Sequence, residues 1–254
     1  RAFCDFFPGR YPATIVLVMT PSFHRLMLMF VAVLATGSAL AARPLQVHKG
    51  ESIVILGNTF AERMQLFGYF ETFLHCRFPD HQLRVRHMGW SADEVESMIR
   101  PMGFPGLFEE LEGHKADLLF LCFGFNESFA GAAGVEGYQA GLTRFLDKLK
   151  GEQFNGTSAP RIVLVSPIAF EPAEGMAVDQ FRRNENLKRY TAASAEVAAR
   201  EGVRFLDLLK STAGWMERHP DRRLTFNGIH LTEYGDWAVS RMIALGLGLI
   251  DSVD

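Results

Sequence analysis

The sequence predicts an α/β domain with a mostly parallel five-stranded sheet and helices on both faces. Short apolar runs of strand length alternate along the chain with longer segments of helical periodicity, which is the order of βαβ units. Three of the apolar runs are uninterrupted, as in strands that are buried on both faces. The chain has 254 residues, of which 48% are hydrophobic. That length suits one substantial core and is short for two domains.

Apolar runs and amphipathic segments give the predicted elements in chain order. The run that ends before Gly57 and the run that ends before Gly124 are the clearest strands, and Pro167 follows a third. The predicted strands are residues 52–56, 83–85, 116–123, 161–165 and 203–206. Apolar residues recurring every three or four positions predict helices at residues 61–78, 138–150, 180–200 and 231–247. We expect segments 131–137 and 170–177 to be loops.

Composition and residue spacing limit the kinds of partner, metal and cofactor that we expect for this protein. The net charge is −3 and there is no run rich in Lys or Arg, so we expect no nucleic-acid partner. The eight histidines lack metal-ligand spacing, so we expect no metal site. No G-x-G-x-x-G or Walker-type loop follows a predicted strand, so we expect no cofactor. A nucleotide-binding domain of the flavodoxin type is accordingly a weaker alternative.

The first 41 residues form a separate region. From Met19, a short polar stretch with Arg25 precedes an apolar run, and small residues follow up to Ala41. This order indicates a secretory signal peptide over residues 19–41. The alternative is a membrane anchor, but the apolar run is shorter than a bilayer span of about 20 residues. We therefore expect a secreted or periplasmic bacterial protein with no membrane span after cleavage and one domain over residues 42–254. Residues 1–18 are interpreted as an upstream leader outside the fold.

Polar residues follow three predicted strands and precede the last predicted helix. Because the carboxyl ends of parallel strands meet at one edge of a sheet, these segments should line one crevice. The four segments are Gly57-Asn58-Thr59, Met88-Gly89-Trp90-Ser91, Gly124-Phe125-Asn126-Glu127 and Asn227-Gly228-Ile229-His230.

In these four segments, and in their order, the chain resembles the SGNH (GDSL-type) hydrolase family. The resemblance extends from about residue 49 to the final helix. The stretches GNTFAER and GWSADEV also resemble SGNH-like domains of larger exported proteins of planctomycete-type bacteria. The resemblance implies a flavodoxin-like three-layer α/β/α sandwich. It also implies an esterase that acts on a small-molecule or carbohydrate ester by acyl transfer.

The resemblance also implies a role for each matched residue. Thr59 takes the place of the nucleophilic serine, His230 is the base, and Asn227 takes the place of the aspartate that orients it. The backbone of Thr59, Gly89 and the Asn126 side chain correspond to the oxyanion hole. Four further residues lie in the motifs: the turn glycines Gly57 and Gly124, Asn58 in place of an aspartate, and Glu127.

Two of these substitutions weaken the catalytic assignment. The γ-methyl group of Thr59 adds bulk where the acyl carbon must approach. Asn227 cannot offset the charge of an imidazolium, and the same change in a serine protease costs about 10⁴ in turnover. A nearby carboxylate could replace the missing aspartate, and the candidates are Glu62, Glu127 and Glu171.

Non-catalytic interpretations of the same residues stay open. Thr59 could cap the following helix through its hydroxyl. Asn126 could close an Asx turn, and His230 could be a packed histidine. The domain as a whole could be a pseudoenzyme that binds a carbohydrate or another ligand without turning it over.

Overall fold

The computed structural model describes residues 43–172 and 179–253, and in it five strands form a single sheet. Every neighbouring pair of strands is parallel, and the order across the sheet is β2-β1-β3-β4-β5. The strands are β1 (Ser52–Gly57), β2 (Arg84–His87), β3 (Leu118–Cys122), β4 (Arg161–Val165) and β5 (Arg204–Leu206). The predicted fold class is confirmed, and the sheet is entirely parallel.

Seven α-helices accompany the sheet in the described residues. They are α1 (Thr59–Phe67), α2 (Tyr69–Arg77), α3 (Leu107–Gly113), α4 (Val135–Lys150), α5 (Gln180–Glu201), α6 (Leu208–Arg218) and α7 (Glu233–Gly246). Two 3₁₀ segments, Pro79–His81 and Glu127–Gly134, precede β2 and α4. None of the helices in these two stretches of chain has the length and apolar character needed to cross a membrane.

The two faces of the sheet carry separate cores because side chains alternate along each strand. In β1, Ile53 and Ile55 pack against α1, α2, α6 and α7. Val54 and Leu56 point to the opposite face and pack against α3, α4 and α5. The result is a three-layer α/β/α sandwich with β1 and β3 buried at its centre.

Several predicted elements differ from the structure. The single helix predicted over residues 61–78 is two helices, because Gly68 adopts φ 68° and ends α1. Segment 131–137, expected to be a loop, holds the end of the second 3₁₀ segment and the start of α4. Helices α3 and α6 were not predicted. Most of the expected loop at 170–177, the leader and the signal peptide lie outside the described residues.

The sheet topology fixes where a crevice can form. From β1 the chain adds β2 on one side and β3 on the other, so the carboxyl ends of β1 and β3 flank the point where the strand order reverses. The Asn58 backbone N–H joins these ends by donating to the Cys122 carbonyl at 3.2 Å. Gly57, with φ 138°, passes so close to this carbonyl that a β carbon would collide with it.

Candidate active site

A cavity of about 190 Å³ lies at this edge of the sheet. It brings together Thr59 after β1, Asn126 after β3 and His230 before α7, which are far apart in the sequence. Apolar side chains form most of the remaining wall. They are Phe60, Cys122, Phe123, Phe125, Phe129, Pro167, Ile168 and Ile229, and the lining is completed by Asn58 and Ser166. The convergence expected from the four sequence segments is therefore present for three of them.

Asn58, and not Thr59, caps helix α1. The Asn58 side-chain oxygen accepts a hydrogen bond from the backbone N–H of Phe60 at 3.0 Å, and Thr59 is the first helical residue. The alternative interpretation, in which Thr59 caps the helix, is therefore wrong, and asparagine serves as well as aspartate at this position. Within the described residues the Thr59 hydroxyl makes no hydrogen bond. Its backbone N–H lies in the first helical turn, where such groups lack intrahelical partners and favour negative charge.

Asn126 contributes an amide to the lining of the cavity. Its Nδ2 donates to the Asp93 carbonyl at 3.0 Å, so the side chain bridges two loops and does not close an Asx turn. One N–H of the amide is used in this bond, and the second can serve an oxyanion in the cavity. Asp93 is itself buried and held by Arg100, whose two terminal nitrogens lie 2.8 and 2.7 Å from the Asp93 carboxylate oxygens.

Gly89 does not line this cavity, and its assignment to the oxyanion hole stays a prediction. It packs against the first turn of α1, where a β carbon would collide with the backbone of Ala61 and Glu62. Close packing alone therefore requires glycine here. The Glu62 carboxylate accepts a hydrogen bond from the Ser91 hydroxyl and does not contact His230.

The side chain of Asn227 fixes the protonation of His230. Asn227 Oδ1 accepts hydrogen bonds from the backbone N–H groups of His230 at 2.9 Å and Ile229 at 3.3 Å. Because backbone N–H groups only donate, the accepting atom must be the oxygen, and the amide nitrogen must be the atom that faces the imidazole. Asn227 Nδ2 lies 2.9 Å from His230 Nδ1. His230 Nδ1 is therefore the acceptor, and the ring proton resides on Nε2.

This tautomer is unfavourable for a general base. A histidine that accepts a proton through Nε2 must carry its own proton on Nδ1, which Asn227 opposes. Burial, and secondarily the positive charge of Arg63, lower the pKa of His230, so the imidazolium is disfavoured as well. No hydrogen bond joins His230 to Thr59 in the described structure. The site thus combines a neutral imidazole, a hydroxyl and an amide around one small apolar cavity.

Glu127 does not replace the missing aspartate. Its carboxylate accepts backbone hydrogen bonds from Val95 at 3.0 Å and Gly124 at 2.8 Å, and it forms none with His230. Burial raises its pKa. Its position in the third motif is explained by this bridge between the loops that follow β2 and β3.

Glu171 has a role that the sequence did not reveal. Its buried carboxylate accepts hydrogen bonds from Leu224 N at 3.0 Å, Thr225 N at 2.7 Å and Thr225 Oγ1 at 2.6 Å. The Thr225 hydroxyl in turn accepts from Gly228 N at 3.0 Å. Glu171 therefore anchors the loop that carries His230 without contacting the imidazole. The one signal in the sequence was a carboxylate at the end of the apolar stretch after β4.

The sequence model of the GDSL-like lipase/acylhydrolase family matches residues 53–238. The chain belongs to the GDSL-like lipase/acylhydrolase family. Members of this family are hydrolases that act on esters, and the chain falls in that class of enzyme. No curated protein matches the sequence.

Solved structures share the fold of this family member at low sequence identity. A GDSL-like lipase from Parabacteroides merdae is 16% identical, has a TM-score of 0.66 and covers 82% of this chain and 100% of its own. An acetylxylan esterase from Geobacillus stearothermophilus is 16% identical, with a TM-score of 0.60 and coverages of 80% and 97%. A gut microbial diltiazem-metabolizing enzyme is 21% identical, with a TM-score of 0.59. The match covers 80% of this chain and 48% of that enzyme, so the chain spans about half of its length.

Proposed function

We propose that this protein is an ester hydrolase of low turnover that removes a short acyl group from a small or carbohydrate ester. The observation that carries the proposal is the single cavity lined by Thr59, Asn126 and His230. An apolar cavity of about 150 Å³ holds benzene, so a cavity of about 190 Å³ suits a short acyl chain or one ring. The acetylxylan esterase with the same fold supports a carbohydrate ester as the substrate.

In the proposed reaction, the Thr59 oxygen attacks the carbonyl carbon of the ester and its proton passes to His230 Nε2. The carbonyl oxygen becomes an oxyanion, which the Asn126 amide and the Thr59 backbone N–H stabilise. The carbon–oxygen bond to the alcohol then breaks, and His230 returns the proton to the leaving oxygen. A water molecule then attacks the acyl-threonine and gives its proton to His230. The bond to the Thr59 oxygen breaks, His230 returns the proton to that oxygen, and the acid is released.

Low turnover follows from the contact between Asn227 and His230. Only the minor tautomer, with Nε2 unprotonated, can accept the Thr59 proton. The neutral amide also leaves the resulting imidazolium without a counter-charge. Catalysis therefore depends mainly on the oxyanion donors. In a serine protease without its triad, the oxyanion hole and substrate binding still give a rate enhancement of about 10³ to 10⁴ over the uncatalysed reaction.

A chain-length series tests the proposal. The protein should hydrolyse p-nitrophenyl acetate and butyrate faster than the decanoate, because the cavity admits only short chains. Thr59→Ala and His230→Ala should each lose at least nine-tenths of the rate, whereas Thr72→Ala, an exposed threonine on α2, should not. Full activity in His230→Ala, or no hydrolysis across the panel, would refute the proposed function.

A non-catalytic binding module is the second candidate, and the hydrogen bond between Asn227 and His230 favours it. A hydroxyl, an imidazole N–H and an amide N–H form a set of donors that can hold a carbonyl or carboxylate group without reacting with it. Such a protein would bind an acylated sugar and leave it intact after long incubation. The parent protein would then show no detectable ester hydrolysis, and the double variant Thr59→Ser/Asn227→Asp would gain several orders of magnitude in hydrolysis rate.

We further propose that the protein is exported, as a secreted or periplasmic protein, with the signal peptide at residues 19–41 removed. The support is the order of polar, apolar and small residues ending at Ala41. Amino-terminal sequencing of the protein recovered from a secreting bacterial host should begin at Ala42. Recovery in the cytoplasm with residues 19–41 intact would contradict export.

A further inference from the structure

Another cavity, of about 540 Å³, is lined by Glu62 and Gln65 of α1, the helix that begins at Thr59, and we call it the Trp90 cleft. It lies between the end of β2 and α3, and it includes Gly89 from the second motif. The side chains that matter here are Trp90, Phe104, Arg100, Glu62, Gln65 and Arg86. Nothing in the reaction proposed above uses them.

Two aromatic rings at this cleft are exposed. Trp90 keeps 38% of its surface accessible and Phe104 keeps 52%. Their ring centroids are 5.6 Å apart in an edge-on arrangement, and the Arg100 guanidinium lies 4.8 Å from the centre of the Trp90 ring. Exposed aromatic side chains that lie side by side in a cleft offer a surface on which a ligand ring can stack.

The cleft is tied to the reacting groups by hydrogen bonds. The Trp90 backbone N–H donates to the Gly57 carbonyl at 2.9 Å, two residues before Thr59. The Asp93 backbone N–H donates to the Trp90 carbonyl at 3.1 Å. Asp93 also accepts the hydrogen bond from Asn126 at 3.0 Å. The backbone at Trp90 is therefore tied to the loops that carry Thr59 and Asn126.

The chemistry of the lining indicates what would bind. The electron-rich face of an aromatic ring attracts the polarised C–H groups of a sugar ring. Carboxylate, amide and guanidinium groups from Glu62, Gln65 and Arg86 stand around the aromatic wall and can accept from or donate to hydroxyls. Gln65 and Arg86 are exposed to solvent, so they can exchange bound water for the hydroxyl groups of a ligand. A sugar ring can stack on the aromatic rings through its C–H groups and form hydrogen bonds with the polar side chains through its hydroxyls.

We propose that the Trp90 cleft binds the sugar ring of the leaving alcohol, and that Trp90 and Phe104 select carbohydrate esters. This proposal rests on the proposed ester hydrolase function, but the cleft can be tested without turnover. Trp90 and Phe104 would then determine specificity, whereas the small cavity determines the length of the acyl chain.

Direct binding is the first test. Neutral tetrasaccharides of xylose, glucose and N-acetylglucosamine are titrated against the protein by calorimetry. At least one should bind. Trp90→Ala and Phe104→Ala should each weaken it at least tenfold, and Trp90→Phe should restore most of the affinity. Phe181→Ala is the matched control, because Phe181 is 79% exposed and lines a different cavity. Binding that survives both alanine variants, or no binding in the panel, would overturn the proposal.

The second test compares substrates. In each variant we measure the ratio of kcat/KM for an acetylated xylotetraose to kcat/KM for ethyl acetate, which has no ring. The ratio should fall at least tenfold in Trp90→Ala and stay constant in Phe181→Ala. An unchanged ratio in Trp90→Ala overturns the role of the cleft. If the protein hydrolyses no ester but binds an oligosaccharide, and Trp90→Ala loses that binding, the result would support sugar binding in the Trp90 cleft. It would refute only the proposed hydrolase function.

Discussion

Replacing Asn227 by aspartate should convert His230 into an effective base. The backbone N–H groups of Ile229 and His230 hold one side-chain oxygen of residue 227 in place. In Asn227→Asp the second oxygen would therefore occupy the present amide position, 2.9 Å from His230 Nδ1. An oxygen there requires the ring proton on Nδ1, which leaves Nε2 free to accept the proton of Thr59.

The size of the gain can be worked out from this geometry. A carboxylate and an imidazolium whose charge centres lie about 4 Å apart attract by about 4 kcal/mol at an effective dielectric constant near 20. At 1.36 kcal/mol per decade, this corresponds to roughly a thousandfold increase in kcat/KM. The loss of about 10⁴ for the reverse change in a serine protease is of the same order.

The assay is hydrolysis of p-nitrophenyl acetate between pH 5 and 9, combined with ¹⁵N NMR of the imidazole to determine the tautomer. Asn186→Asp is the matched control, because it adds the same charge on α5, beside Arg189, and Asn186 does not line the cavity. We expect less than a threefold change in that control. A kcat/KM in Asn227→Asp equal to or below that of the parent protein, with the fold intact, would refute the tautomer argument.

Three further predictions concern the reacting groups and the pH dependence. Thr59→Ser should raise kcat/KM about tenfold because it removes the γ-methyl group, and Thr59→Val should abolish hydrolysis; equal rates for the two variants would exclude Thr59 as the nucleophile. Arg63→Met should move the acid limb of the pH–rate profile to higher pH, because the Arg63 charge lowers the pKa of His230 and the neutral imidazole is the active form. An unshifted limb would contradict this. Burial raises the pKa of Asp236 to about 6, so its ionised form costs stability above pH 6, and this cost disappears as the pH falls towards 4. Asp236→Asn should therefore increase the free energy of unfolding at pH 8 by roughly 2 to 3 kcal/mol, with little change at pH 4, as measured by urea denaturation.

The sheet could be predicted from sequence because β1, β3 and β4 contain continuous apolar runs of strand length with glycine or proline close behind them. The break between α1 and α2 could not, because apolar residues continue through Gly68 at helical spacing. Helix α3, with seven residues, is too short to show a clear period.

Thr59, Asn126 and His230 could be assigned to one crevice from the sequence, but their interactions could not be predicted. Asn227 was recognised as a departure from the family pattern. Its effect on His230 depends on which backbone N–H groups its oxygen accepts, and this appears only in three dimensions. The cap formed by Asn58 was hidden for the same reason. Phe104 and Arg100 lie in a segment without periodicity, so only the folded chain shows that they meet Trp90.

Trapping the acyl-enzyme tests the central claim most directly. The Asn227→Asp variant is mixed with p-nitrophenyl acetate, quenched in acid within the first turnover and digested for peptide mass spectrometry. We predict one acetyl group on the peptide that contains Thr59, and none when Thr59→Ala is combined with Asn227→Asp. An acetyl group on another residue, or hydrolysis that continues without any acyl-threonine, would contradict the account.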